Sequence, residues 1–238
     1  MPDFAEIWSY LAQGPLIWLT LTLVAYVAGD TVAEVAGRAP LANPVLIAVI
    51  LLATMLWITQ TPYSVYFEGA QFVHFLLGPA TVALAVPLYL QGARLKRAVV
   101  PVLAGLVVGS VVAVTSALFI ADALGVDVST LASLTPKSTT APVAIGIASS
   151  LGGSPTLAAV LVILTGITGA LVATPLLNAV GVRDWRARGL SVGVAAHGIA
   201  TARAFQVNPT AGAFAGIGMG LNAILTALIA PLVLRLFV

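Results

Sequence analysis

The stretch LTPKSTTAPVAIGIASS, residues 134–150, can be read in two ways, and the choice sets the fold. Its second half is apolar enough for a bilayer. Its first half carries Pro136, Pro142, Lys137 and the hydroxyls of Thr135, Ser138, Thr139 and Thr140. Pro142 has no N–H to give the carbonyl of Ser138 four residues back, which interrupts any helix that has begun by then. About 17 residues is the short limit for a crossing helix. The stretch therefore either crosses as a short span or dips in and returns.

The rest of the chain excludes a water-facing fold. Of 238 residues, 60% are hydrophobic and 8% are charged, with a mean hydropathy of +1.09. A soluble domain carries roughly 25% charged residues. That excludes a cytosolic enzyme, a nucleic-acid binder and a disordered tail, and leaves an all-α polytopic membrane protein whose first solvent is lipid. Ten Lys and Arg against eight Asp and Glu give +2, too few charges for a basic patch. The absence of cysteine excludes disulfides, thiolate metal sites and cysteine nucleophiles. The first residues lack the basic start and cleavage site of a signal peptide, so the first apolar run reads as a retained span.

Apolar runs bounded by Pro, Gly and charge give eight elements, at 16–36, 44–60, 71–91, 98–121, 134–150, 155–180, 189–205 and 211–237. All should be helical, because lipid offers an isolated backbone no other partner. No soluble domain interrupts them, so residues 1–238 read as one membrane domain. Basic residues follow the first run (Arg38), the third (Arg94, Lys96, Arg97), the sixth (Arg183, Arg186, Arg188) and the last (Arg235). Basic residues concentrate on the cytoplasmic side. Eight full crossings would put Arg183, Arg186, Arg188 and the C-terminus outside. If 134–150 re-enters, both lie inside. The expectation is seven crossings plus one re-entrant element, seven to eight transmembrane elements with helix breaks.

Short matches suggest an internal repeat. Asn43-Pro44 with its apolar run resembles Ser154-Pro155, and Gly78-Pro79-Ala80-Thr81 resembles Gly198-Ile199-Ala200-Thr201. Halves 16–121 and 134–237 would then run in opposite directions, the inverted arrangement of many secondary transporters. A rival register sets Pro79-Ala80-Thr81 against Pro136-Lys137-Ser138.

Three breaks at membrane depth offer chemistry. At Pro79 and Thr81 a restarted helix would present free N–H groups to an anion; a packed proline kink explains the same residues. At 136–142, Lys137 supplies a positive charge while Ser138, Thr139 and Thr140 can donate hydrogen bonds; a snorkelling lysine is the alternative. At Ala196–Arg203, His197 can relay a proton near neutral pH and Arg203 can grip a carboxylate. On a continuous helix those two point about 120° apart, so a break at Gly198 is needed to bring them together. A structural histidine and an interfacial arginine are the alternatives. Thr201 adds a hydroxyl. Gly212, Gly216, Gly218 and Gly220 suit close helix packing, and Asn222 among them would line the cavity. Trp8, Trp18, Trp57 and Trp185 fit interfacial anchoring. No nucleotide loop, catalytic triad, metal cluster or cofactor ligand set can be read, so no catalytic residue, metal or cofactor is expected.

LGPATVALAVPLY (77–89), PKSTTAP (136–142), Leu151-Gly152-Gly153, ARGLSVGVAAHGIATARAF (187–205) and GAFAGIGMGLNAILTAL (212–228) together resemble the LrgB/CidB-like membrane proteins. The likeness covers about 70–230 in order; Ala200 departs from a family preference for glycine. It implies a multi-pass protein of the bacterial inner (plasma) membrane with one of two functions. One is transport of small monocarboxylates, as in the related plastid glycolate/glycerate carriers and bacterial relatives linked to pyruvate. The other is holin/antiholin-like control of murein hydrolase export and lysis. It also implies an LrgA-like membrane subunit as partner; a homo-oligomer is a further expectation. The polar breaks favour the carrier, with Pro79, Thr81, Lys137, Ser138, Thr139, Thr140, Thr201, Arg203 and Asn222 around a small organic anion and His197 relaying a proton.

Overall fold

The computed structural model describes residues 14–39, 42–76, 79, 82, 89 and 98–238, with no strand among them. The helices are α1 (Pro15–Val35), α2 (Pro44–Thr59), α3 (Tyr63–Phe75), α4 (Val99–Ala123), α5 (Val128–Leu134), α6 (Ala141–Ser150), α7 (Pro155–Ala179), α8 (Trp185–Val207) and α9 (Pro209–Leu234). Four of these, α1, α4, α7 and α9, are long and apolar enough to cross a membrane. Their outward side chains, among them Val27, Val108, Phe119 and Ile224, are exposed, which suits a lipid surround.

Helix starts follow local chemistry. Asn43, Ser154 and Asn208 each cap the helix that begins with the next residue, a proline. Proline suits the first turn, where its missing N–H would be unpaired anyway. Because Asn208-Pro209 uses the same device, the match between Asn43-Pro44 and Ser154-Pro155 reflects helix-start chemistry and says nothing of a repeat. Pro142 also falls in a first turn, since α6 begins at Ala141. No helix has formed by Ser138, so this proline breaks nothing.

The chain divides into two compact units, residues 1–81 and 82–238. In the first, α1 packs on α2 and α3. Trp18 is fully buried there, edge-on to Tyr66 with ring centroids 5.9 Å apart. Its expected place at the membrane interface is thereby corrected. The backbone of Gly69 approaches Pro15 so closely that any Cβ would strike its carbonyl, and this draws α3 over the indole. Trp57 is 74% exposed. The third helix begins at Tyr63, after Pro62, not at residue 71; most of the remaining 77–97 segment, with Thr81, Arg94, Lys96 and Arg97, lies outside the described residues.

The second unit contains two helical hairpins. The seven residues of α5 and ten of α6 rise about 10 and 15 Å, far short of the ~30 Å hydrocarbon layer. Turns at 135–139 join them, and the Ser154 N–H then donates to Ser133 Oγ at 2.7 Å. The returning chain thus passes the far end of α5. The second hairpin is hidden inside α8. Ala196 (φ −140°, ψ 18°) and His197 (φ 44°, ψ −139°) leave helical geometry. Gly189 abuts the Ala211 carbonyl and Gly193 that of Ala215. This constant register means that 185–195 runs parallel to the start of α9, so 198–207 must run back antiparallel to both, with Phe205 against Gly212. Trp185 and Val207 line one small cavity; a straight helix would hold them about 33 Å apart.

The two hairpins approach from opposite ends of the unit. Leu190 and Val194 pack with Val102, Leu106, Phe214 and Ile217, at the N-terminal ends of α4 and α9. Leu131 and Ala132 pack with Leu118, Ala121 and Leu234, at their C-terminal ends. Arg188 and Arg235 therefore lie at opposite ends of this unit. The expectation that they share one side is corrected, because 189–205 turns back at Ala196–His197 and does not cross.

Candidate functional site

Each hairpin tip is tied to a long helix near its middle. Asn222 of α9, fully buried, donates from Nδ2 to the Ser138 carbonyl at 2.9 Å. Its Oδ1 accepts from Ser110 Oγ of α4 at 2.6 Å and from Thr226 at 3.3 Å. The amide thus clamps the first tip between two helices. In the second hairpin His197 Nε2 donates to the Val162 carbonyl of α7 at 2.7 Å. A positive φ in a non-glycine residue costs about 1–3 kcal/mol, and that anchor helps to hold it. The break lies at Ala196–His197, just ahead of the expected Gly198. Room for it comes from α7: a Cβ on Gly166 would stand 2.7 Å from His197 Cε1, and one on Gly169 would collide with Ala196 Cβ.

A cavity of about 490 Å³ lies between the first tip, α7 and 185–196. Lys137 lines it together with Ala196, Ser191, Thr165 and Thr168, and Leu161, Leu164 and Val172 form part of an apolar wall. The Lys137 Nζ donates to Ser138 Oγ at 3.2 Å, and no carboxylate among the described residues pairs with it. A half-buried cation with no carboxylate partner among the described residues is costly at membrane depth.

The expected site residues are only partly gathered here. Ser138, Thr139 and Thr140 are buried in the tip, but the Thr139 hydroxyl donates to the Pro136 carbonyl at 2.9 Å. Thr201 is 1% exposed and its hydroxyl has no hydrogen-bond partner among the described residues. Arg203 lines a separate, smaller cavity with Arg188 and Trp185 and donates to Gln206 at 3.3 Å. Pro79 belongs to the first unit, exposed, and Thr81 is outside the described residues. Sequence reading missed Thr165 and Thr168. The doubled Thr-Gly of Thr165-Gly166-Ile167-Thr168-Gly169 was their signal, hydroxyls beside glycines within a span.

Paired half-helices, buried polar tips and lipid-facing long helices define a polytopic membrane protein built around helix breaks. The chain belongs to the LrgB-like family, whose model matches residues 22–236. It is 36% identical over 224 residues to the uncharacterized protein YxaC of Bacillus subtilis, covering 93% of this chain and 96% of that one. It is 30% identical over 222 residues to the holin-like protein CidB of Staphylococcus epidermidis, and equally to that of Staphylococcus aureus, each covering 93% of this chain and 96% of the relative. No solved structure matches the chain.

Proposed function

We propose that this protein carries a small monocarboxylate across a bacterial inner membrane, with Lys137 as the group that holds the carboxylate. The observation behind this reading is the cavity that joins a cation without a carboxylate partner to the break at Ala196–His197. Broken helices at mid-membrane suit a solute that must bind and then be released. Ser138, which meets Lys137 Nζ, and Thr165 and Thr168, which line the cavity, are the proposed donors. Thr139, Thr140, Thr201 and Asn222 shape the two tips, Arg203 is a second anion-binding candidate, and His197 is the proton relay. Pro79 and Thr81 stay proposed substrate contacts on sequence grounds alone.

The comparisons weigh toward a different reading. Relatives covering nearly the whole chain are named holin-like, and on names alone control of lysis through the membrane has the stronger support. An LrgA-like membrane subunit and self-association belong to either reading. Uptake into proteoliposomes separates them. Saturable, mutually competitive uptake of pyruvate, lactate, glycolate and glycerate supports the carrier, whereas non-saturating leakage of unrelated solutes supports the holin-like reading.

The two hairpins also bear on the repeat. Val162 and Asn222, which anchor the tips, are sixty residues apart, and Ser138 and His197 fifty-nine. We infer an inverted relation between 128–179 and 185–234 within the single membrane domain; the halves 16–121 and 134–237 remain a separate proposal. Arg183, Arg186 and Arg188 share the end of α4 that Arg94, Lys96 and Arg97 precede in sequence. By the positive-inside rule that end is cytoplasmic.

A further inference from the structure

We propose that the Lys137 cavity selects monocarboxylates with a short apolar tail, from propionate to hexanoate and their 2-oxo counterparts, over hydroxylated acids such as glycerate and over dicarboxylates. This rests on the carrier reading and narrows its substrate class.

Three observations carry it. Lys137 is the one cation lining the cavity among the described residues, because Arg203 opens onto another. One positive charge balances one carboxylate, and a second carboxylate would lie unpaired at membrane depth, where bare charge is expensive. Away from Lys137 the wall is formed by the half-buried Leu161 and, toward the cavity's open side, by the exposed Leu164, Val172 and Leu176. A terminal hydroxyl placed there would lose its water without gaining a partner, while a methylene gains by burial. The polar groups are few: Thr165, Thr168 and Ser191, with the Ser191 hydroxyl already donating to the Arg188 carbonyl at 2.9 Å. The two threonines suffice for a 2-oxo or 2-hydroxy oxygen beside the carboxylate. At about 490 Å³ the space lies within the usual range of small-ligand pockets, ample for a tail of a few carbons.

The test is isothermal titration of the purified protein with acetate, propionate, butyrate, hexanoate, dodecanoate, glycerate and succinate. Lys137→Met serves as the blank for partition into detergent. The expected result is a Lys137-dependent Kd that falls roughly fourfold per added methylene up to hexanoate, with no further gain at dodecanoate. Glycerate and succinate should bind more weakly than butyrate. Leu161→Ser should flatten the chain-length slope. A flat series, or glycerate binding at least as tightly as butyrate, overturns the selectivity while leaving a carboxylate site standing. Affinity still climbing at dodecanoate overturns it in favour of membrane fatty acid. If no carboxylate binds in a Lys137-dependent way, the carrier reading itself fails, and this inference with it.

Discussion

Lys137 and Arg203 look alike in the sequence, each a lone cation beside a helix break, and only the fold separates them. Lys137 lines the large cavity and Arg203 the small one. A charge-assisted hydrogen bond contributes about 1.5–3 kcal/mol, so Lys137→Met should raise the apparent substrate constant roughly 10- to 150-fold in a proteoliposome uptake assay. Arg203→Met should change it far less; normal transport by both variants would mean the anion is held elsewhere. At the mouth of the second hairpin, Asp184 caps α8 by accepting from the Arg186 N–H at 2.8 Å. Hydrogen bonds from the Arg186 side chain, then from its backbone, pull the Asp184 pKa down to about 2 from 3.8. Because the folded-state value is the lower one, the cap's contribution is full above about pH 4 and is lost as pH falls through 2. Protection of the Arg186 and Ala187 amides, relative to their intrinsic exchange rates, should hold from pH 7 to 4 and fall below, and Asp184→Asn, which still caps, should abolish that dependence.

The elements were legible where they obey local grammar. Proline after Asn or Ser announced three helix starts, and the polar run at 134–142 announced the first hairpin tip. The second showed only as a break at Gly198, not as a reversal, because the one positive φ of its turn falls on His197 and not on a glycine, inside a run of continuous helical character. What permits the turn is on another helix, in Gly166 and Gly169. Gly166→Ala and Gly169→Ala should each destabilise the protein by about 1–3 kcal/mol through overpacking, read as a fall in melting temperature. Gly146→Ala, whose Cβ would meet nothing within 4 Å, should be neutral or stabilising. The Asn222 clamp is worth about 0.6 kcal/mol for each of its hydrogen bonds, on the scale measured within membranes. Asn222→Ala should therefore lower stability modestly while loosening the first tip, seen as faster amide exchange at 137–141.

For the molecule as a whole, composition alone fixed the solvent, since 8% charged residues cannot coat a water-facing surface. It could not fix the topology, because one misread element reverses the side on which everything after it emerges. If α8 crossed as a straight span, α9 would bring the chain back and Ala187 and Leu236 would face the same side. With α8 folded into a hairpin, they face opposite sides. Both residues are exposed, and the chain has no cysteine of its own, so single cysteines at these two positions report cleanly to a membrane-impermeant maleimide. The opposed hairpins that build the Lys137 cavity predict that Ala187→Cys is labelled only from the cytoplasmic side and Leu236→Cys only from the opposite side. Labelling of both from the same side would contradict the fold and, with it, the site.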